Sequence, residues 1–189
     1  MVMLGLATTA LAQGTRSPEP MSLGDPAAPV TVVEYCSFTA PHCATFHTQV
    51  FPLLRADYIE TGLVRLVFRE VYFDRYGLWA AVLARCDGSK YAAILDQLFA
   101  RQIEWTRSDD PYTVMNNLKK FGRESGQNDR QMDACLEESD VGTALAAQYQ
   151  RAADADGVNA VPAFIINGEK YPNMAYDDFV TVLDAQLGR

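Results

Sequence analysis

The stretch A-P-H-C at residues 40–43 holds the side chains of this sequence that are best suited to chemistry. Cys43 occupies the place of the second cysteine in a Cys-Pro-His-Cys motif, and Ala40 stands where the first, attacking cysteine would be. In such a motif the thiolate of the first cysteine is the nucleophile of disulfide exchange. Alanine carries no thiol, so the sequence predicts a redox site that lacks its nucleophile.

Two strand patterns and one helix pattern surround this motif. The β-branched run at residues 29–35 predicts a central strand, and residues 62–71 predict a second one. Between them, Pro41 suits the first position of a helix that extends to about Tyr58 and that Pro52 should kink. Two strands joined by a helix form a βαβ unit, whose crossover should be right-handed.

The rest of the chain predicts a block of helices, then a hairpin and a closing helix. From about residue 76 to 155, apolar residues recur at helical spacing, which indicates four or five helices. Strands at 162–166 and 169–171 flank the Asn-Gly turn at 167–168, a pattern typical of a type I′ hairpin. Residues 176–187 then predict an amphipathic helix.

Length and charge narrow the class of protein. The 189 residues suit one domain with an insertion. We assign residues 29–75 and 156–189 to an α/β domain, 76–155 to a helical insertion, and 13–28 to a lead-in. The formal net charge of −8 argues against binding to nucleic acid or to an anionic membrane surface.

The first twelve residues predict export. They are apolar and uncharged and end in A-L-A, which is similar to the hydrophobic region and cleavage site of a secretory signal peptide. The basic start of such a peptide is missing, and a disordered apolar tail is the alternative. An oxidising compartment, such as the periplasm of a Gram-negative bacterium, would suit a chain with four cysteines.

Three segments, in order along the chain, resemble the DsbA family of exported thiol:disulfide oxidoreductases. They are E-Y-C-S-F-T-A-P-H-C-A-T-F-H at 34–47, F-R-E-V-Y-F-D-R-Y-G-L-W-A-A-V-L-A-R-C at 68–86, and G-V-N-A-V-P-A-F-I-I-N-G at 157–168. The resemblance covers nearly all of the chain from about residue 28 onward. It implies an α/β, thioredoxin-like fold (βαβ…ββα) that is interrupted by an all-helical insertion.

The resemblance also implies roles for residues at the motif and in the last segment. His42 would tune the missing thiolate, and Cys43 would be the resolving thiol. Val161-Pro162 would be a cis-proline dipeptide that offers backbone groups to an extended substrate. The alternative for Pro162 is an ordinary trans proline at the start of a strand.

Three residues in or near the motif, Glu34, His47 and Ala40, need an interpretation of their own. The resemblance places Glu34 under the dithiol, where a buried carboxylate would help to move protons; the alternative is a glutamate that faces water. We interpret His47 as a surface or partner contact and not as a metal ligand. Ala40 is either an engineered substitution or the mark of a naturally degenerate member, and we favour the first.

The three remaining cysteines predict one disulfide and one packed thiol. Cys86 and Cys135 fall on apolar sides of helices in the insertion, so we expect a structural disulfide; two buried thiols are the alternative. For Cys36 we favour a packed thiol. A bridge to Cys43 is the second possibility, decided by the separation of the Cα atoms. A zinc site of Cys36, Cys43 and His42 is conceivable, but its spacing fits no common pattern.

The resemblance implies an exported protein-disulfide oxidoreductase of the DsbA type, which we expect to be inactive as written because Ala40 replaces the nucleophile. Its partners would be unfolded or reduced exported proteins and a membrane protein that reoxidises it. We expect no cofactor, no metal and no nucleic acid. Two other functions stay open: a non-redox chaperone or peptide-binding module, and a kappa-type glutathione transferase that binds glutathione.

Overall fold

The computed structural model of the chain describes residues 18–137 and 139–189. The signal-like segment at 1–12 and the first part of the lead-in lie outside the described residues. In the described ranges, five strands form one mixed sheet in the order β1-β3-β2-β4-β5. The strands are β1 (Met21–Leu23), β2 (Val30–Cys36), β3 (Val64–Glu70), β4 (Ala163–Ile166) and β5 (Glu169–Pro172). This sheet confirms the predicted thioredoxin-like α/β fold.

Strand β2 is the centre of the sheet. It runs parallel to β3, so that Val30 lies opposite Val64 and Cys36 lies opposite Glu70, and it runs antiparallel to β4. A strand with neighbours on both edges is largely covered, and in β2 all residues except the half-buried Thr31 and Val33 are buried, which explains its mostly apolar sequence. The sequence did not predict β1, because three residues at an edge leave no periodic signal.

The helix after β2 is divided and not merely kinked. Helix α1 (Pro41–Gln49) ends before Val50, and α2 (Phe51–Leu54) carries Pro52 in its first turn. A proline has no N–H to donate to the preceding turn, but its ring suits the start of a new helix. A single π-helical turn, Arg55–Ile59, follows α2 and leads toward β3.

Six helices lie between β3 and β4 in the described part of the chain, one or two more than the periodicity predicts. They are α3 (Arg75–Arg85), α4 (Tyr91–Ala100), α5 (Gln102–Thr106), α6 (Pro111–Glu124), α7 (Asp129–Glu137) and α8 (Ser139–Asp156). Helix α9 (Tyr176–Leu187) follows the hairpin. No described helix has the length and apolar character needed to span a bilayer.

Most of the buried apolar residues of the sheet and the helices belong to one cluster. Phe46 of α1 packs against Phe164 of β4 and Phe179 of α9, with ring centroids 4.9 and 5.8 Å away. The same cluster continues through Leu98 and Trp105 of the helical block, both of which are fully buried. Within residues 18–137 and 139–189 this cluster joins the sheet to the helical block, so the division into an α/β domain and an insertion stays a prediction.

A buried ion pair also joins the sheet to the helical block. Glu70, at the end of β3, accepts hydrogen bonds from Arg85 Nε at 2.9 Å and Arg85 Nη2 at 2.6 Å. The hydroxyl of Tyr91 donates to the same carboxylate at 2.9 Å. Three donors therefore satisfy a carboxylate that is largely removed from water, which is the condition for tolerating it there.

Candidate active site

A disulfide joins Cys36, the last residue of β2, to Cys43 in the first turn of α1. The sulfur atoms are 2.28 Å apart and the Cα atoms 5.7 Å apart. That Cα separation lies within the range a disulfide requires, because the turn at 37–40 folds α1 back over the end of the strand. The preferred interpretation of Cys36 as a packed thiol is therefore wrong, and the structure contains the alternative C-x6-C bridge.

Both sulfur atoms point inward. Cys36 is 6% exposed and Cys43 is 0% exposed, so the bond between them is largely covered. Ala40, where an attacking cysteine would be, is half-buried at the N-cap of α1 and forms no side-chain cap there. A thiol at residue 40 would thus face solvent, whereas the Cys36–Cys43 disulfide lies deeper in the protein.

Side chains from the helical block hold the turn that precedes α1. Gln102 of α5 is buried, and its Nε2 donates to the carbonyl oxygens of Phe38 at 2.8 Å and Ala40 at 3.0 Å. The hydroxyl of Thr39 donates to Asp74 Oδ2 at 2.7 Å, and Asp74 Oδ1 in turn caps α3. Because two separate helices contact this turn, the helical block positions the end of the disulfide-bearing helix.

A cavity of about 470 Å³ lies beside the N-terminus of α1. Its walls are His42 and two segments, residues 158–163 and 170–173. The peptide bond Val161–Pro162 in the first segment is cis. The structure therefore brings His42 and Pro162, two residues singled out in the sequence, to the same cavity.

A second, larger cavity of about 610 Å³ lies on the other side of α1. The outer face of α1 forms one wall, and residues 99–104 form the other. Ile103 in that wall is 64% exposed. The first turn of α1 therefore stands between two depressions of the surface.

Beneath the disulfide, Glu34 and His47 form a buried pair. Glu34 Oε1 lies 2.7 Å from His47 Nε2, and the two side chains are 0% and 2% exposed. The imidazole ring stacks on Phe99, with centroids 3.9 Å apart and planes 8° from parallel. The interpretation of His47 as a surface contact is therefore wrong. It lies one helical turn after the buried Cys43, so both side chains occupy the core-facing side of α1.

This pair leaves two buried polar atoms without a partner. Among the described residues, Glu34 Oε2 and His47 Nδ1 accept or donate no hydrogen bond. Donor atoms of Glu34, Cys36 and His47 all lie within 4.8 Å of one another. We call these three residues with Cys43 the buried cluster. It combines two sulfurs, one imidazole and one carboxylate in a space lined by aromatic rings.

Comparison with known proteins places this geometry in a family. A family model described as Thioredoxin matches residues 16–185. The chain belongs to that family. A crystal structure of Wolbachia pipientis alpha-DsbA1 matches with a TM-score of 0.81 at 27% identity, over 90% of this chain and 92% of that one. The chain is thus a DsbA-like member of the thioredoxin family.

Relatives known from sequence carry matching names but are longer. A Rickettsia conorii protein named as a candidate protein-disulfide oxidoreductase is 31% identical over 88% of this chain and 60% of its own length. Disulfide bond formation protein D of Bacillus subtilis is 25% identical over 87% of this chain and 76% of its own length. The chain thus spans about 60% of the length of the Rickettsia relatives that it matches.

In this DsbA-like chain, a polar network anchors the loop that contains the cis-proline. The hydroxyl of Tyr35 donates to Asp156 Oδ2 at 2.5 Å and accepts from Arg69 Nη1 at 2.8 Å. Burial, and then the hydrogen bond to Asp156, raise the pKa of Tyr35 well above its usual value, so the hydroxyl stays a donor at any physiological pH. Since Asp156 ends α8, the network fixes where the loop toward Pro162 begins.

The other two cysteines of this DsbA-like chain are joined to each other. A disulfide with a Cα separation of 5.7 Å connects Cys86, directly after α3, to Cys135 in α7. Both residues are half-buried. The bond closes a loop with a sequence separation of 49 residues inside the helical block, which is the arrangement of a structural disulfide.

Proposed function

We propose that this chain is a protein-disulfide oxidoreductase of the DsbA type that is exported to the periplasm, and that its active form, with a cysteine at position 40, acts on reduced or unfolded exported proteins. One observation carries the proposal: the first turn of α1, which bears Cys43 of the disulfide, places the neighbouring His42 in the wall of a cavity that also contains cis-Pro162. The names of the Rickettsia and Bacillus relatives agree with this activity. A membrane partner would reoxidise the protein after each cycle.

The cavity beside α1 suits an extended polypeptide segment. Asn159 and Ala160 are exposed in one wall, and Pro172 is exposed in the other. Backbone groups next to Pro162 can pair with a substrate strand by β-augmentation, which depends on main-chain hydrogen bonds and tolerates many sequences. Broad tolerance of this kind is what a protein that oxidises many different exported chains requires.

The exchange itself moves two electrons between protein and substrate. A substrate thiolate attacks one sulfur of the protein disulfide, the S–S bond breaks, and a mixed disulfide forms. A second substrate thiol loses its proton and attacks that mixed disulfide. The substrate leaves with one S–S bond, and the protein retains two thiols that have taken up the two electrons and two protons.

Access decides how fast the first step is in this chain. An attacking thiolate must reach a sulfur in line with the S–S bond, but Cys36 is only 6% exposed and Cys43 is covered completely. Position 40, which lies nearer the surface, has no sulfur. We therefore propose that the chain as written is inactive in exchange, although it has the thioredoxin-like fold and a cavity at Pro162.

Reduction of insulin by a dithiol, followed by turbidity, tests this function with three proteins. In Cys36→Ala/Ala40→Cys, the two cysteines stand at the ends of C-P-H-C, and we expect catalysis. The unchanged chain and the Cys36→Ala control should both match the uncatalysed rate. If the folded double variant does not catalyse, the oxidoreductase function is wrong. If the unchanged chain catalyses and Cys36→Ala does not, the function is right and the proposed inactivity is wrong.

A non-redox peptide-binding module is the second candidate, and the burial of both sulfurs favours it. It predicts that the unchanged chain and Cys36→Ala/Ala40→Cys suppress aggregation of an unfolded protein equally well, while neither accelerates exchange. A glutathione-conjugation assay on the same two proteins tests the transferase alternative. Activity there that does not require a cysteine at position 40 would support the kappa type.

A further inference from the structure

We propose that reduction of the Cys36–Cys43 disulfide opens a zinc site whose ligands are Cys36, Cys43, His47 and Glu34. The site would exist only in the reduced protein, since each sulfur is occupied by the other in the oxidised one. This proposal does not depend on the exchange activity, because it requires only that the disulfide can be reduced.

The distances in the buried cluster support the site. Donor atoms of Glu34, Cys36 and His47 already lie within 4.8 Å of one another, and the sulfur of Cys43 is bonded to that of Cys36. Tetrahedral zinc has Zn–S bonds of about 2.3 Å and Zn–N and Zn–O bonds of about 2.0–2.2 Å, so its ligand atoms stand roughly 3.3–3.8 Å apart. In the oxidised chain the two sulfurs are bonded to each other and Glu34 Oε1 lies 2.7 Å from His47 Nε2, so the atoms of both pairs are closer together than zinc ligands. Reduction frees the sulfurs to separate, and the carboxylate and the imidazole would separate by about 1 Å around the metal.

The unpartnered atoms support it independently. Glu34 Oε2 and His47 Nδ1 are buried without a hydrogen-bond partner among the residues that the structure covers. A carboxylate with only one partner in a dry interior is costly unless a cation or a donor compensates it. A metal ion held by the carboxylate would supply that compensation.

The chemistry of the donors selects the metal. Two thiolates, an imidazole and a carboxylate are ligands that zinc accepts in tetrahedral sites, whereas Mg²⁺ and Ca²⁺ require oxygen donors. Aromatic rings surround the imidazole: Phe46, Phe51 and Phe99 have centroids 5.3, 4.7 and 3.9 Å from its own. Such a shell keeps water from competing for the metal.

The redox step is balanced with a phosphine as the reductant. The phosphine, the disulfide and one water molecule give a phosphine oxide and two thiols. Zinc then displaces the two thiol protons and binds both thiolates. In a cell a dithiol would supply the same two electrons and become a disulfide. Because the metal binds only the reduced form, zinc would stabilise that form by mass action.

Metal titration tests the proposal in a Cys86→Ala/Cys135→Ala background, which removes the other two thiols. We expect about one equivalent of Zn²⁺ per phosphine-reduced chain in competition with a chromogenic chelator, and none per oxidised chain. Co²⁺ as a probe should give the visible d–d absorption of a tetrahedral site and a thiolate charge-transfer band. Cys36→Ala and Cys43→Ala should each lower the affinity at least about tenfold.

Two histidine variants provide the matched comparison. His47→Gln should lower the affinity at least about tenfold, whereas His42→Ala, which removes the other, exposed histidine of the sequence, should leave it unchanged. Glu34→Gln has nearly the same shape as the parent side chain and serves if His47→Gln does not fold, as judged by circular dichroism. The proposal is overturned if the reduced chain binds no zinc, if the oxidised chain binds it equally, or if none of the cluster variants weakens binding.

Discussion

The two disulfides should stabilise the fold by different amounts, because they close loops of different length. Cys36–Cys43 has a sequence separation of 7 residues, and Cys86–Cys135 has one of 49. In the loop-entropy description, the lost freedom of the unfolded chain grows with the logarithm of loop length. The bonds should therefore contribute about 2.5 kcal/mol and about 4 kcal/mol at 25 °C.

Two double variants isolate these contributions. Cys36→Ala/Cys43→Ala retains only the long-loop bond, and Cys86→Ala/Cys135→Ala retains only the short-loop bond. Each is unfolded in urea in its oxidised and in its phosphine-reduced form, with a chelator to keep metal away from the reduced thiols. Comparing two redox forms of one protein cancels the packing lost with the deleted sulfurs, so the difference in unfolding free energy reports the bond.

We expect the long-loop bond to contribute the larger difference, by roughly 1.5 kcal/mol. The reverse order would refute the loop-entropy reasoning for this fold. So would a contribution below about 1 kcal/mol from Cys86–Cys135, since the unfolded chain would then already hold those segments together. Equal slopes against urea in the two redox forms are the control that the unfolded state has not become more compact.

Three further predictions concern stability. Arg85→Met should cost about 3–5 kcal/mol in urea unfolding, because it leaves the buried carboxylate that ends β3 uncompensated; a loss below 1 kcal/mol would contradict this. Asp110, at the start of α6, accepts a hydrogen bond from the hydroxyl of Thr113. This bond holds the pKa of the Asp110 carboxyl below its ordinary value of 3.8. Asp110→Ala should therefore lower the urea midpoint at neutral pH. The difference in midpoint between the unchanged chain and the variant should vanish as pH falls through that lowered pKa. A difference that stayed constant with pH would show that the charge of the carboxylate is not its cause. Gly24→Ala places Cβ 2.4 Å from a carbonyl oxygen of β3 at φ +91°, whereas Gly62→Ala at φ +77° meets nothing within 4 Å. Gly62→Ala should cost about 1 kcal/mol and Gly24→Ala clearly more; equal costs would show that the backbone shifts freely.

Local sequence signals were sufficient for the elements that frame the site. The β-branched run predicts β2 to within a residue or two, and the Asn-Gly pair predicts the β4–β5 hairpin. Asn167 and Gly168 have φ of 47° and 91°, the left-handed values that a type I′ turn demands and that these residues tolerate best. Strand β1 was missed because its pairing with β3, and not its own composition, makes it a strand.

The side chains around the disulfide were harder to predict from the sequence, because tertiary packing brings most of them together. His47 carries a usable signal, since its spacing of four from Cys43 puts it on the same helix face as a buried residue. Gln102 and Asp74 carry none. Both hold the turn before α1 from elements that lie elsewhere in the sequence, and only the packing of the helical block brings them there. The Cys36–Cys43 bond required the Cα separation, which no pattern of residues supplies.

The position of the disulfide affects the two proposed properties, disulfide exchange and zinc binding, in opposite directions. Exchange requires a sulfur that solvent and substrate can reach, whereas a tight metal site requires ligands enclosed by a dry shell. Cys36 is 6% exposed and lies against the Glu34–His47 pair, so its location disfavours disulfide exchange and favours metal binding. Cys36→Ala/Ala40→Cys moves one sulfur from the interior to the N-cap of α1. It should therefore gain exchange activity and lose zinc affinity in the same protein, and a variant that changed only one of the two would show that they have separate causes.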